Sequence, residues 1–354
     1  MTQRRSLLIG SMPFENETQA MTIALDMLGR SLFCLPDGEI GEKSADYPNG
    51  KRAAWVMTAI DICSADSENW DVVKTSVRDE NGFPVDYEHV QKLRPKHPPA
   101  VMHNYLDFGY HDYFRESYPI FKRLREERGL PDLKFQVGVP TGLGITISML
   151  PPLQALRYAD AFNKRIAYEV NEILKIAGED VIIQIEVPAE LALAYRLPSF
   201  LMRLSIRSIF GLANKITPQA EIGVHICLGD LNNQALVRAE TLQTMVAFSN
   251  EMVKRWPATY KLVYVHYPLA EAATPPPTNP SYYTPLKDID LPDHVRFVGG
   301  FVHEEHSPEE SRQILETIER LRGTPIDVAC SCGLGRRSQA IAERLINTMD
   351  QLVS

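Results

Sequence analysis

No stretch of this sequence holds the roughly 20 consecutive apolar residues that a membrane-spanning helix requires. The opening segment MTQRRSLLIGSMPF carries two arginines, but its apolar run is too short for a signal-peptide core. Positive charge is also scarce, with 37 Lys and Arg against 45 Asp and Glu and a formal net charge of −8. Neutralising phosphates needs the opposite balance, which argues against general nucleic-acid binding. The Gly-x-Gly-x-x-Gly fingerprint of a dinucleotide fold is missing. Cysteine is sparse and odd in number: Cys34, Cys63, Cys227, Cys330 and Cys332. With no export signal, structural disulfides are not expected. These absences lead to the expectation of a cytoplasmic protein with small-molecule partners, no nucleic acid and no membrane. A homo-oligomer is compatible with all of this.

What is present is an alternation of short apolar runs and longer amphipathic segments. Strand candidates are Ser6–Gly10, Ser31–Leu35, Leu133–Val139, Val181–Val187, Glu221–Cys227, Lys261–His266, Val295–Gly299 and Ile326–Ala329. Gln154–Ile176 places Leu156, Phe162, Ile166, Val170, Ile173 and Leu174 at helical spacing. Ser307-Pro308-Glu309-Glu310 reads as a capping box opening a helix through Ile314, Ile318 and Leu321. About eight strands with intervening helices in 354 residues point to one α/β domain over 1–354, a (β/α)8 TIM barrel. An open doubly wound sheet is the alternative. A long insertion follows the second strand, from Pro36 to about Arg128, with an Asn81-Gly82 hairpin turn between Val72–Val77 and Val85–Val90. The proline-rich Ala273–Pro292 is expected as a long loop over the barrel mouth, or as plain surface.

The chemistry-bearing residues sit at strand ends. His225 and Cys227 are two apart on one strand and so face one side. Cys332 follows the last strand in Cys330-Ser331-Cys332-Gly333-Leu334-Gly335. In a barrel both strand ends lie on the catalytic face. One imidazole and two thiolates suit zinc with an exchangeable fourth position. Cys330, on the opposite side if the strand continues, reads as packing. Taken singly, His225 would more often be a hydrogen-bonded core histidine.

Several short motifs keep one order along the chain. They are Ile9-Gly10-Ser11-Met12-Pro13, Asp37-Gly38-Glu39, Val139-Pro140-Thr141 and Gln184-Ile185-Glu186-Val187-Pro188-Ala189. Then come His225-Ile226-Cys227, Gly300 through Pro308, and Cys332-Gly333-Leu334. The ordered set resembles the C-terminal catalytic barrel of cobalamin-independent methionine synthases, in the uroporphyrinogen decarboxylase/methionine synthase superfamily. That resemblance implies Zn2+ held by His225, Cys227 and Cys332, with a substrate thiol bound as thiolate and attacking an alkyl carbon. It implies that Gly10, Ser11 and Glu39 hold an amino-acid thiol, that Glu186 pairs with its ammonium, and that His306 assists proton transfer to the leaving group. The family's remaining zinc ligand is a glutamate. His266 falls nearest to it, as a replacement ligand or with the fourth position left to water or substrate. The family's Asp-Glu-Pro reads Glu186-Val187-Pro188 here, which sets true methionine synthesis apart from thiol chemistry in general.

The expected function is therefore a zinc-dependent alkyl or methyl transferase acting on a small thiol, with an alkyl or methyl donor as second substrate. A zinc-dependent lyase or hydrolase using metal-bound water and a non-catalytic zinc-stabilised binding protein are the alternatives. Asp37-Gly38-Glu39 alone could be a turn, and Glu186 a structural ion pair. Arg336 and Arg337, after the Cys332 loop, could bind an anionic substrate or serve in salt bridges.

Overall fold

The computed structural model describes residues 3–54 and 56–354. Eight parallel strands form the main sheet: β1 (Ser6–Leu7), β2 (Cys34–Pro36), β5 (Lys134–Pro140), β6 (Val181–Glu186), β7 (Glu221–His225), β8 (Lys261–Pro268), β9 (Arg296–Val302) and β10 (Asp327–Cys330). Their spatial order follows the chain, and β1 pairs with β10. A parallel bridge from Ser6 to Leu32 brings the first and second strands together and nearly closes the ring. An open doubly wound sheet would reverse its strand order, and this one does not. The fold is an α/β TIM barrel.

All eight strand candidates coincide with barrel strands, although β1 and β2 are only two and three residues long. Helices clothe the outside at most connections. In Pro152–Ala177 the buried stripe runs through Ala155, Ala159, Phe162, Ile166, Val170 and Ile173. Leu156, expected on it, is 58% exposed. Six positions from Phe162 make about 600° of helical rotation, which takes Leu156 off the stripe. The capping box at Ser307 and Glu310 forms with both reciprocal bonds, and Gly323 ends that helix in the left-handed region.

The insertion between β2 and β5 carries the helix Val56–Ala65, a two-stranded antiparallel sheet of β3 (Trp70–Lys74) and β4 (Lys92–Pro95), and the helix Tyr110–Glu127. The chain does turn at Asn81-Gly82, where the Asp79 carboxylate accepts from the Asn81 and Phe83 amides. The regular ladder lies further out than expected, however, because β3 pairs with Lys92–Pro95 rather than with Val85–Val90.

The proline-rich segment is a second correction. It forms a 3-10 helix, Pro280–Asp288, in the place of an outer helix after β8, packed against the helices Gln243–Lys254 and Pro308–Arg322. Arg322 donates to the carbonyls of Leu286 and Ile289, and Tyr283 is fully buried. Prolines lack the amide hydrogens an α-helix needs, but a short 3-10 stretch fills the gap. None of Ala273–Pro292 lines the mouth.

Inside the barrel, period-two alternation sends Ile182, Gln184 and Glu186 inward from β6, and Gly223 and His225 from β7. Tyr264 fills the centre, and its ring lies 2.0 Å from where a Cβ on Gly223 would stand. Its hydroxyl donates to Gln184 Oε1. Gln184 and Gln136 in turn donate to the carbonyl of Ile9. This satisfied amide layer forms the floor on which the mouth residues rest.

A candidate metal centre in the barrel mouth

Parallel register sets the first neighbours. Glu186 pairs with His225, and His225 with His266, across β6, β7 and β8. The two imidazoles therefore meet, with Nδ1 to Nδ1 at 2.8 Å. His266 Nε2 lies 3.0 Å from the carbonyl oxygen of Cys330, which only accepts, so Nε2 carries the proton. Burial holds His266 near pKa 4 and, together with His266, holds His225 well below the usual histidine range. Neutral His266 then accepts at Nδ1, and His225 Nδ1 donates to it. The remaining nitrogen, His225 Nε2, is buried, bears a lone pair and has no partner.

Cys227 follows β7 and Cys332 follows β10, and their Sγ atoms are 4.0 Å apart. A ring nitrogen of His225 and the two sulfurs all lie within 4.8 Å of one another. These residues could hold a metal ion. The Cys332 thiol is lowered, foremost by the hydrogen bond from Cys227, while Cys227 is raised by that same bond and by burial. The Gly229 amide donates to Cys227 Sγ at 3.3 Å. Cys332 is fixed by its loop, since the Leu334 amide donates to Ser11 O at 2.6 Å. Gly333 is needed there because a Cβ would stand 2.3 Å from Ser11 Oγ. Cys330, next to a register shift in β10, packs with the core between sheet and helices.

His266 does not share the position of these three. Both of its nitrogens are engaged, so it stands behind His225 as the group that fixes the ring, a common partner for a ligating histidine. His266→Ala should weaken metal retention by about 10- to 100-fold through lost orientation. A chelator competition assay checks this, and a loss as large as that caused by removing a thiol would return His266 to the ligand set.

Beside the thiols stand two carboxyls. Glu39, at φ 49°, projects from the turn after β2. Asp37 accepts from its amide at 2.9 Å and is gripped by Arg52 at 2.6 Å and Ser117 at 2.7 Å. Asp37-Gly38-Glu39 is thus a turn with divided duties, Asp37 structural and Glu39 facing the cavity. A Cβ on Gly138 would stand 2.7 Å from Glu39 Oε1 and 2.8 Å from Glu186 Oε1, so that glycine opens the space where the two carboxyls converge. Gly10 does the same on the other side of Glu39. Burial, offset in part by Arg52, brings Glu39 to about 7. Burial, then Glu39, raises Glu186 well above its ordinary value.

These groups line one cavity of about 110 Å3 with apolar walls of Met57, Phe83, Ile147, Leu231 and Leu236. Gly10, Ser11, Glu39, Glu186, Cys227 and Cys332 all reach it, and His306 does not. His306 lies in the loop before the helix Pro308–Arg322, its Nδ1 buried without a partner. Tyr87, Asp230 and Arg336 complete the wall. Tyr87, supplied by the insertion, accepts from the Leu231 amide and ties the insertion to the loop after β7. No local signal in the sequence marks it, because only the fold carries residue 87 across the mouth. Among the described residues no helix is long and apolar enough to cross a membrane.

A second cluster, Asp107, His111 and Glu169, also groups possible ligands. Glu169 there is saturated by Arg165 and by the amides of Phe108 and Tyr110.

No protein-family model and no curated protein matches the chain. Among solved structures it is similar to a B12-independent methionine synthase from Shewanella sp. W3-18-1 in complex with selenomethionine, with a TM-score of 0.61 and 15% identity over 99% of this chain and 97% of that one. A methyltransferase from Methanosarcina mazei gives a TM-score of 0.45 at 12% identity over 100% and 95%. At 15% identity the first likeness establishes the barrel architecture and nothing finer.

Proposed function

We propose that this protein is a zinc-dependent transferase that moves an alkyl or methyl group onto a small thiol. The observation that carries the reading is the grouping of a His225 ring nitrogen and two cysteine sulfurs within 4.8 Å of one another, with His225 Nε2 buried and without a partner and both cysteines on the cavity wall. Tetrahedral zinc with Zn–S bonds of about 2.3 Å separates two sulfurs by about 3.8 Å, close to the 4.0 Å here. The soft donor set and three protein ligands support zinc with a fourth position for substrate. The likeness in fold to a methionine synthase supports the same reading.

A free thiol of pKa about 8.5 is only about 3% thiolate at pH 7. Bound zinc would supply the ionisation of a coordinated thiol. The chain's own residues do the rest. His225, held in one tautomer by His266, presents Nε2. Glu39 and Glu186 take up a cationic group such as an ammonium, which draws both carboxyls toward the ionised form. The apolar wall keeps water from the electrophile and orients it, where most of the acceleration must arise. His306, outside the cavity lining, is not assigned the proton transfer to the leaving group in this arrangement.

Zinc-edge absorption spectroscopy of the zinc-loaded protein, with and without homocysteine and a panel of small thiols, tests the reading. The expected result is a third sulfur in the zinc shell at about 2.3 Å once a thiol is added. If no thiol enters the shell, the transferase reading fails and chemistry on metal-bound water takes its place.

A further inference from the structure

Arg336 lies four residues after Cys332 and faces the same cavity. A guanidinium carries five N–H donors. Among the described residues Arg336 makes one hydrogen bond, from Nη1 to Asp230 Oδ2 at 3.4 Å. Its Nε is buried with no partner, and so is Asp230 Oδ1. Its side chain is 17% exposed.

Its neighbour behaves differently. Arg337 Nε reaches both oxygens of Glu304 at 2.9 Å, and Nη2 donates to the Ala272 carbonyl at 3.3 Å. One of two consecutive arginines is thus spent on structure, and the other is held in a cavity wall with most of its donors unused. Arg336 also borders an outer cleft whose polar lining is Asn49, Asn81, Asn232, Asn233, Ser338 and Arg337, with no carboxyl among the lining residues. On the inner side the facing carboxyls are Asp230, Glu39 and Glu186.

We infer that Arg336 is a specificity-determining residue that receives an anionic group, of the carboxylate or sulfonate class, carried by the thiol ligand of this cavity. The inference rests on the thiol reading given above. The thiol sulfur joins the Cys227–Cys332 pair, and the anionic end turns to the guanidinium, whose planar fork matches two oxygens at once. Asp230 holds the guanidinium in place through one long hydrogen bond and leaves its other donors free. The polar outer cleft, lined by two arginines and no carboxyl, gives the anionic end room.

A matched pair of probes tests this on the full chain loaded with cobalt(II). The protein is titrated with 3-sulfanylpropanoate and with 3-sulfanylpropanamide, equal in length and unequal in charge. The thiolate-to-cobalt absorption reads each dissociation constant. The charged thiol should bind roughly 10- to 100-fold tighter, as a charge-assisted hydrogen-bonded pair would provide. In Arg336→Gln that preference should fall below about threefold while the amide binds as before, and Arg336→Lys should keep part of it. Equal binding of both thiols to the unmodified protein, or an undiminished preference in Arg336→Gln, overturns the assignment alone. Failure of both thiols to reach the cobalt overturns it together with the thiol reading.

Discussion

Replacing Cys227 or Cys332 with serine should cost the protein its metal, with affinity falling by at least roughly 100-fold, beyond the losses typical of residues that only orient a ligand. Each variant exchanges a soft thiolate for a hydroxyl that neither ionises readily nor suits zinc. The two sulfurs sit 4.0 Å apart on loops fixed from opposite sides, Cys227 by the Gly229 amide and Cys332 by the Leu334–Ser11 bond. Cys330→Ser provides the internal control. That thiol is buried among apolar side chains and lies outside the ligand group, so its variant should retain the metal and lose only stability, about 1–3 kcal/mol for a buried hydroxyl with poor partners. Metal analysis after dialysis against a chelator reads all three proteins. Full occupancy in both ligand variants would remove the metal centre proposed here.

The second large effect concerns Glu39. Burial raises its carboxyl from 4.5 to about 7. The folded protein therefore keeps a proton that the unfolded chain gives up, and ∂ΔG/∂pH is negative between those values. The contribution is fully present below about pH 4.5 and is lost as pH rises to about 7, amounting to roughly 3 kcal/mol at 1.36 kcal/mol per pKa unit. Glu39→Gln keeps the shape, removes the titration and should remove this loss. At pH 8 the variant should be the more stable protein, and at pH 5 the two should converge. The buried histidines act in the opposite sense, since His225 and His266, lowered by burial, cost stability as pH falls below 6.5. They are common to both proteins and cancel in the difference, whereas Glu186, raised in part by Glu39, is raised less in the variant and adds to the difference in the same direction. Urea unfolding at several pH values measures it, and parallel curves for the two proteins would show that Glu39 does not titrate in this window. The same variant should bind an ammonium-bearing thiol roughly 10- to 100-fold more weakly, because a carboxylate–cation pair is worth more than a neutral amide contact. Stability sacrificed for binding is the usual trade at a functional site.

Residue patterns specify much of this molecule, and the reason is local. Strand candidates depend on apolar runs, the Ser307–Glu310 helix start on hydrogen bonds within four residues, and the shared face of His225 and Cys227 on the two-residue repeat of a strand. Such features need no knowledge of the rest of the chain. The pairing of β3 with Lys92–Pro95, the packing of Pro280–Asp288 against two outer helices and the exposure of Leu156 escaped that reading. Each was decided by competition for core contacts among distant segments.

At the site the division is sharper. The ligand types His225, Cys227 and Cys332 could be read along the chain, but their assembly within 4.8 Å depends on closure of the ring through β1 and β10. The placement of His266 behind His225 follows from register, one strand pairing with the next, and from a Cys330 carbonyl that leaves its imidazole a single tautomer. His306 drew its expected role from the family resemblance alone, and it is not among the residues that line the cavity. Tyr87 and Arg336 gain their roles only where the insertion and the last loop meet over the mouth. Sequence by itself determined which chemical groups the strands carry. Tertiary structure decided which of them face one another with donors unsatisfied, because hydrogen-bond satisfaction belongs to the whole set of neighbours and not to any one segment.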